Sequence, residues 1–287
     1  MASGKGSRKS GFTLTEILIS MIILGLIMGA VIGLFFAIVM HFEQSNDITT
    51  AQQRGEMVLT ALGPKILAAG VGMPATASFD QFSTLSSPSS WDSAVMVSGD
   101  AELTVIYAVP AEAVVSGETS LTSSDVSISL TGTMPIAAEL KKQPAVAAGW
   151  VVFPATGVAL MVNDDTPQVS PLVLTPQGTG IVYDHDRLHL VRAARCSVDG
   201  ANWFVMTDLK PEVTRHVVEG IADIRFDKST DGKSLTIWVL ARGSTRHDNE
   251  ITGSTLPDWP DEFEPIGPEN RHYRLKVVQR TWGLRNR

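Results

Sequence analysis

Hydrophobic and polar positions divide the chain into three stretches with different periods. Residues 17–40 carry no charge at all, and the run is broken only by Ser20 and three glycines. As a helix it spans ~36 Å, enough to cross a bilayer with some tilt. After His41 the sequence EQSNDITTAQQRGEMVLTALGPKILAAGVGMP turns polar while keeping helical spacing. Met57, Ala61, Leu62, Ile66 and Leu67 there form a stripe able to face a globular body. Pro64 lacks a backbone donor and crowds the preceding turn, which predicts a kink or break near Gly63. Gly70, Gly72 and Pro74 end the helical pattern.

The third stretch, from about Val71, is rich in Ser, Thr, Gly and Pro with short β-prone runs between them. ASFDQFSTLSSPSSW reads as loop. Alternation predicts strands at 101–109 and 126–130. GWVVF, GVALMV, GIVYD and RLHLVRA follow at short spacings with turn residues between. Three more are predicted at 216–226, 234–241 and 273–278, with Asp231-Gly232 supplying a tight turn between the first two. The pattern predicts an α+β fold in which a long N-terminal helix carries a mostly antiparallel β domain. No internal repeat is visible.

Charge refines this picture. The net charge of -7 argues against a protein that coats nucleic acid. Basic residues are uneven, however: Lys5, Arg8 and Lys9 all precede the first acid, Glu16. A basic leader before an apolar run places the N-terminus in the cytoplasm and the body across the membrane. A secretory signal would have an apolar core of roughly 7 to 15 residues and then a small-x-small cleavage site. Here the run is longer and continues through Phe35, Phe36 and Met40 into the polar helical stretch. With one cysteine, Cys196, no intramolecular disulfide can form, and the thiol reads as a small buried apolar group.

Glu16 is the anomaly, since a carboxylate in an apolar segment usually marks function with a partner. A helix-start position softens the cost through the N-terminal dipole. The order Gly11, Phe12, Thr13, Leu14, Thr15, Glu16 and then the apolar run resembles the type IV prepilin signature. That resemblance implies a cytoplasmic leader of residues 1–11, cleavage after Gly11, and N-methylation of Phe12 as the first mature residue. Residues 12–40 would be the transmembrane half of the helix, 41–70 its amphipathic half, and 71–287 a β-rich periplasmic or extracellular pilin domain. Cleavage creates a charged amine at Phe12, which Glu16 of a neighbouring subunit can approach. In a low dielectric a paired charge is tolerated and fixes register, whereas a wrong axial offset strands both charges. Gly25, Gly29 and Gly33 repeat every four residues along one helix face, a spacing that lets another helix approach closely. Glycine is also simply common in membrane helices.

The likeness extends further along the chain. QQRGEMVLTALGPKILAAG looks like the end of the long helix in larger minor pilins of the PilW kind and in J-type pseudopilins of type II secretion. VVEGIADIRF and the closing YRLKVVQRTWGLRN are similar to their C-terminal half, while residues 75–180 are not covered. The resemblance implies a structural subunit and no enzyme: a minor pilin of a type IV pilus, or alternatively a pseudopilin of a type II secretion system. It implies a single pass through the bacterial inner membrane, then a place in the pilus at the cell surface. Implied partners are other pilins, the prepilin peptidase and methyltransferase, and the inner-membrane assembly platform. A membrane-tethered periplasmic enzyme is the rival from another class, and it predicts an uncleaved N-terminus and a pocket with convergent polar groups.

The remaining candidate chemistry is weaker. DGKS at 231–234 lacks the upstream glycine of a phosphate loop, Asp227 standing in its place, and reads as a hairpin turn. GSTRHD at 243–248 has no triad context. His185 and His189 in DHDRLHL would share one face of a strand beside Asp184 and Asp186, short of the ligand set zinc needs. No cofactor is expected. Acidic loops at Asn163-Asp164-Asp165 and at Asp258, Asp261, Glu262 and Glu264 could offer oxygen ligands to calcium, although acidic loops are normally just solvated. Arg271, Arg274, Lys276, Arg280, Arg285 and Arg287 interleave with Tyr273 and Trp282, a composition that single-stranded nucleic acid can use. Guarding a sheet edge or contacting another subunit is the preferred reading of those cations.

Overall fold

A single helix, α1, runs over Leu14–Ala68, 55 residues in all. The computed structural model describes residues 13–73, 82, 92–122, 124–131, 149–162, 171–209 and 212–284. The chain divides into two compact units, Met1–Asp47 and Ile48–Arg287. In the first unit every described residue after Thr13 is helical, and the apolar side chains from Leu14 to Met40 lie outside any core. Its many β-branched residues are weak helix formers in water. In hydrocarbon, though, a lone segment must satisfy its backbone internally, and the helix does so. This is the one described helix long and apolar enough to cross a membrane.

In the second unit, residues 48–68 of α1 lie against the β domain. The buried face is Ala51, Gly55, Val58, Leu59, Leu62 and Ile66, with Ala69 just beyond. This corrects the stripe expected from the sequence, because Met57 and Leu67 are 60% and 56% exposed and Ala61 is only partly covered. The spacing 51, 55, 58, 62, 66, 69 holds one face of a 3.6-residue period, from which 57 and 67 are turned away. Each of the large buried aliphatics contributes about 1.5–3 kcal/mol. Of the kink or break expected near Gly63, the break does not occur, since α1 continues to Ala68. Pro64 and Thr60 both lie on the exposed face, so water can reach the carbonyl that Pro64 leaves without a donor.

Among the described residues, ten strands form the larger sheet, among them β1 (Val95–Ser98), β4 (Val126–Ile128), β5 (Leu130–Thr131), β7 (Ala159–Val162) and β8 (Leu172–Pro176). Its centre is β10 (Arg187–Val198), which pairs with β2 (Glu102–Val115), β6 (Gly149–Val152) and β11 (Trp203–Leu209). A second sheet has the order β13 (Ile221–Lys228), β14 (Ser234–Arg242), β15 (Leu275–Gly283), and a two-stranded ladder joins β3 (Thr119–Leu121) to β9 (Gly180–Val182). Every ladder is antiparallel, as the alternating patterns predict. The Asp231-Gly232 turn joins β13 to β14, with Gly232 at φ +67 and its amide donating to Ser229 O.

The strand expected at 216–226 is two strands. β12 (Glu212–Glu219) pairs with β11 in the larger sheet, whereas β13 begins the smaller one. Gly220 between them adopts φ +78, which favours glycine and lets the chain change sheets. It does a second job. A Cβ there would sit 2.5 Å from Nη1 of Arg54, and that guanidinium reaches past Gly220 to donate to the carbonyls of Arg242 (2.8 Å) and Gly243 (3.1 Å). Gly55 plays the matching part on the helix, where a Cβ would lie 2.9 Å from Cβ of Val278 on β15.

The helix exit is stitched to β2. Gly70 and Gly72 take φ of 73 and 71. The Gly70 amide donates to Ile106 O, and Ala108 returns a bond to Val71 O, both at 2.8 Å. Three apolar clusters result. The first gathers α1, β2, β10 and the inner faces of β13, β14 and β15, with Phe82 stacked edge-on to Trp150 at 5.2 Å. The second, built around Phe153, Leu160, Leu174 and Leu188, contains no residue of α1. The third is made by residues 243–274, which include no strand. They lay Trp259, Phe263 and Ile266 over Trp238, Leu240 and Val277 on the outer face of the smaller sheet.

Candidate assembly site

Thr13 stands just before the first helical residue, and its side chain and that of Glu16 close a reciprocal cap. The Glu16 amide donates to Thr13 Oγ1 at 3.3 Å. In return Glu16 Oε2 accepts the Thr13 amide at 2.9 Å and the Thr13 hydroxyl at 2.9 Å. This is a capping box, which satisfies two of the donors that any helix start leaves open. Further along, Ser20 Oγ donates to Glu16 O at 2.7 Å, so this serine in the apolar run has its hydroxyl bonded. Glu16 Oε1 has no hydrogen bond among the described residues, and the carboxylate is exposed. Sequence reasoning singled out Glu16 and passed over Thr13, although Thr-x-x-Glu before an apolar run is itself a readable signal.

Gly11 and Phe12 lie outside the described residues. Gly25, Gly29 and Gly33 all lie on α1, and a Cβ built at any of them meets nothing within 4 Å. In the single chain the face they form is open.

The other candidates are absorbed by the fold. His185 is not on a strand with His189: it occupies the turn before β10 at φ 70, while His189 is within β10. The aspartates beside them hold that turn, Asp184 Oδ1 accepting the Gly117 amide at 2.8 Å and Asp186 Oδ2 the Tyr183 amide at 3.0 Å. Asn163, Asp164 and Asp165 lie outside the described residues. In the other acidic loop, Glu264 faces Arg225 at 3.7 Å and Asp258 faces Lys276 at 3.9 Å. No group of three or more His, Cys, Asp or Glu is arranged to hold a metal among the described residues.

Arg271, Lys276 and Arg280 near the C-terminus make internal contacts, whereas the buried Nε of Arg274 has no hydrogen-bond partner among the described residues. Arg271 pairs with Glu250 at 3.3 Å, and Arg280 with Glu56 of α1 at 2.7 Å. Arg242 stacks 4.5 Å above the ring of Tyr273, and Trp282 packs on the first apolar cluster. β15 is an edge of its sheet, which fits the edge-guarding reading. Arg285 and Arg287 lie outside the described residues.

Cys196 is fully buried in β10, and desolvation pushes its thiol up to about 12. Native protein at pH 8 is therefore expected to resist iodoacetamide and to take up one label only after unfolding, as read by intact mass. Labelling of the native chain within minutes would contradict this burial.

An apolar helix headed by a capped glutamate, carrying an antiparallel β domain, is a pilin-like α+β architecture. Residues 6–32 match the family model described as the prokaryotic N-terminal methylation motif. The chain is thus type IV prepilin-like, with the apolar helix of a membrane anchor. No curated protein and no solved structure matches it.

Proposed function

We propose that this chain is a minor pilin of a type IV pilus. The leader is cut after Gly11 and Phe12 is methylated by the prepilin peptidase and methyltransferase. Residues 12–40 then cross the inner membrane once, with the body in the periplasm. The assembly platform moves the subunit into a filament whose core is bundled helices. Glu16 meets the Phe12 amine of a neighbouring pilin and sets axial register, while Gly25, Gly29 and Gly33 admit a close helix. The role is structural rather than catalytic. The observation that carries this reading is the methylation-motif match at the head of an exposed apolar helix. The size of the second unit, residues 48–287, favours a minor position over a densely repeated shaft subunit.

Mass spectrometry of the mature protein tests it. The expected N-terminus is methylated Phe12, and the expected location is the sheared surface-filament fraction. A mature chain that keeps Met1, or that begins beyond Met40, overturns the reading. Recovery with a secretion complex, and never with surface filaments, would move the assignment to a pseudopilin.

A further inference from the structure

We propose that Thr13 is a positioning residue for the Glu16 contact, holding one carboxylate oxygen in the capping box so that the other is presented to the neighbouring amine. The inference rests on the assembly role proposed above for Glu16. It adds a residue to which that reading gave no part.

The geometry separates the two oxygens of one carboxylate. Oε2 is fixed by two donors from Thr13, its amide and its hydroxyl, each at 2.9 Å. The Thr13 hydroxyl oxygen is fixed in turn by the Glu16 amide, so the pair is locked from both ends. A glutamate free to rotate about three bonds would spread its charge over many positions, and ordering it would oppose any contact it makes. Here the ordering is done within the chain, before a partner arrives. Oε1 is left without a hydrogen bond among the described residues and can accept an ammonium donor while the box stays closed. The box also uses the Thr13 amide, one residue from the new Phe12 amine, so removing the leader leaves every member of it in place.

The experiment compares Thr13→Val, Thr13→Ser and Glu16→Gln in the full chain, made in cells that assemble the filament. Incorporation is normalised to the processed, methylated fraction measured by mass, so a peptidase defect does not count as an assembly defect. Amide exchange at Glu16 is read on the mature chain in detergent micelles.

Thr13→Val is isosteric and removes only the hydroxyl. It is expected to speed exchange at Glu16 and to lower incorporation roughly fivefold, the scale of one lost helix cap. Thr13→Ser is expected to restore both. Unchanged exchange, or normal or increased incorporation of Thr13→Val while Glu16→Gln fails to assemble, overturns the role of Thr13 and leaves that of Glu16 standing. Normal assembly of Glu16→Gln overturns the register reading itself.

Discussion

Glu16→Ala chains are expected to be inserted, cut and methylated at close to normal levels, yet to enter filaments poorly. The reason is a difference between two environments. In the isolated subunit the carboxylate is exposed, and removing it costs its own chain only the carboxylate half of the capping box, because the residue-16 amide still donates to Thr13 Oγ1. In the proposed bundle of apolar helices, the Phe12 amine of a neighbour would lose the counter-charge assigned to it. An unpaired charge in low dielectric costs far more than a missing surface contact. Incorporation should therefore fall by roughly tenfold or more, read as the ratio of variant to wild-type subunit in sheared filaments when both are co-expressed. The accumulated subunit should carry methylated Phe12. Accumulation of uncut precursor would instead make Glu16 a recognition element for the peptidase, and the register argument would fall.

Gly72→Ala should strongly destabilise the second unit. Gly72 holds φ +71, a backbone conformation that costs a Cβ-bearing residue about 1–2 kcal/mol. The added Cβ would also lie 2.6 Å from the carbonyl oxygen of Ala108. That oxygen belongs to β2, which is paired with β10 along most of its length, so it cannot rotate aside as a side chain would. Overpacking against fixed backbone adds about 1–3 kcal/mol, giving a total of about 2–5 kcal/mol. For a unit of this size the melting temperature should drop by roughly 10 °C, followed by near-UV circular dichroism of the full chain in detergent. Gly99→Ala is the control, because Gly99 shares the positive φ (+56) but a Cβ there meets nothing within 4 Å. Equal losses for the two variants would mean that the exit from α1 does not lie against β2.

Much of this architecture is legible in the residues. A charge-free run with a basic head reads directly as a membrane helix, and alternating short runs bounded by Gly and Asp read as antiparallel strands. The Asp231-Gly232 hairpin was legible because two residues suffice to specify it. What escapes are features decided by tertiary partners. Met57 and Leu67 are apolar, yet they point outward, because the face of α1 that docks is chosen by what the sheets can fill. Small Ala51 and Gly55, unremarkable by hydropathy, are buried there because β15 comes close. The pause at Gly220 is invisible in VVEGIADIRF, which alternates well enough to pass for one strand. Residues 243–274 bury Trp259 and Ile266 without forming a strand, and this escapes the sequence because Pro257, Pro260 and Pro265, set among the apolar residues, argue against both helix and strand. Thr13 went unread for a different reason. Once Glu16 has a role between subunits, a second role within its own chain is easily overlooked.

The second apolar cluster has a consequence for how freely this sequence can drift. It draws on residues between Ala111 and Leu190 and shares none of its buried members with the cluster that seats α1. Substitutions there fall among buried side chains that form no part of the cluster containing α1. In the proposed filament subunit, this second cluster could change its packing while the cluster that includes α1 residues stays under a separate and stricter constraint.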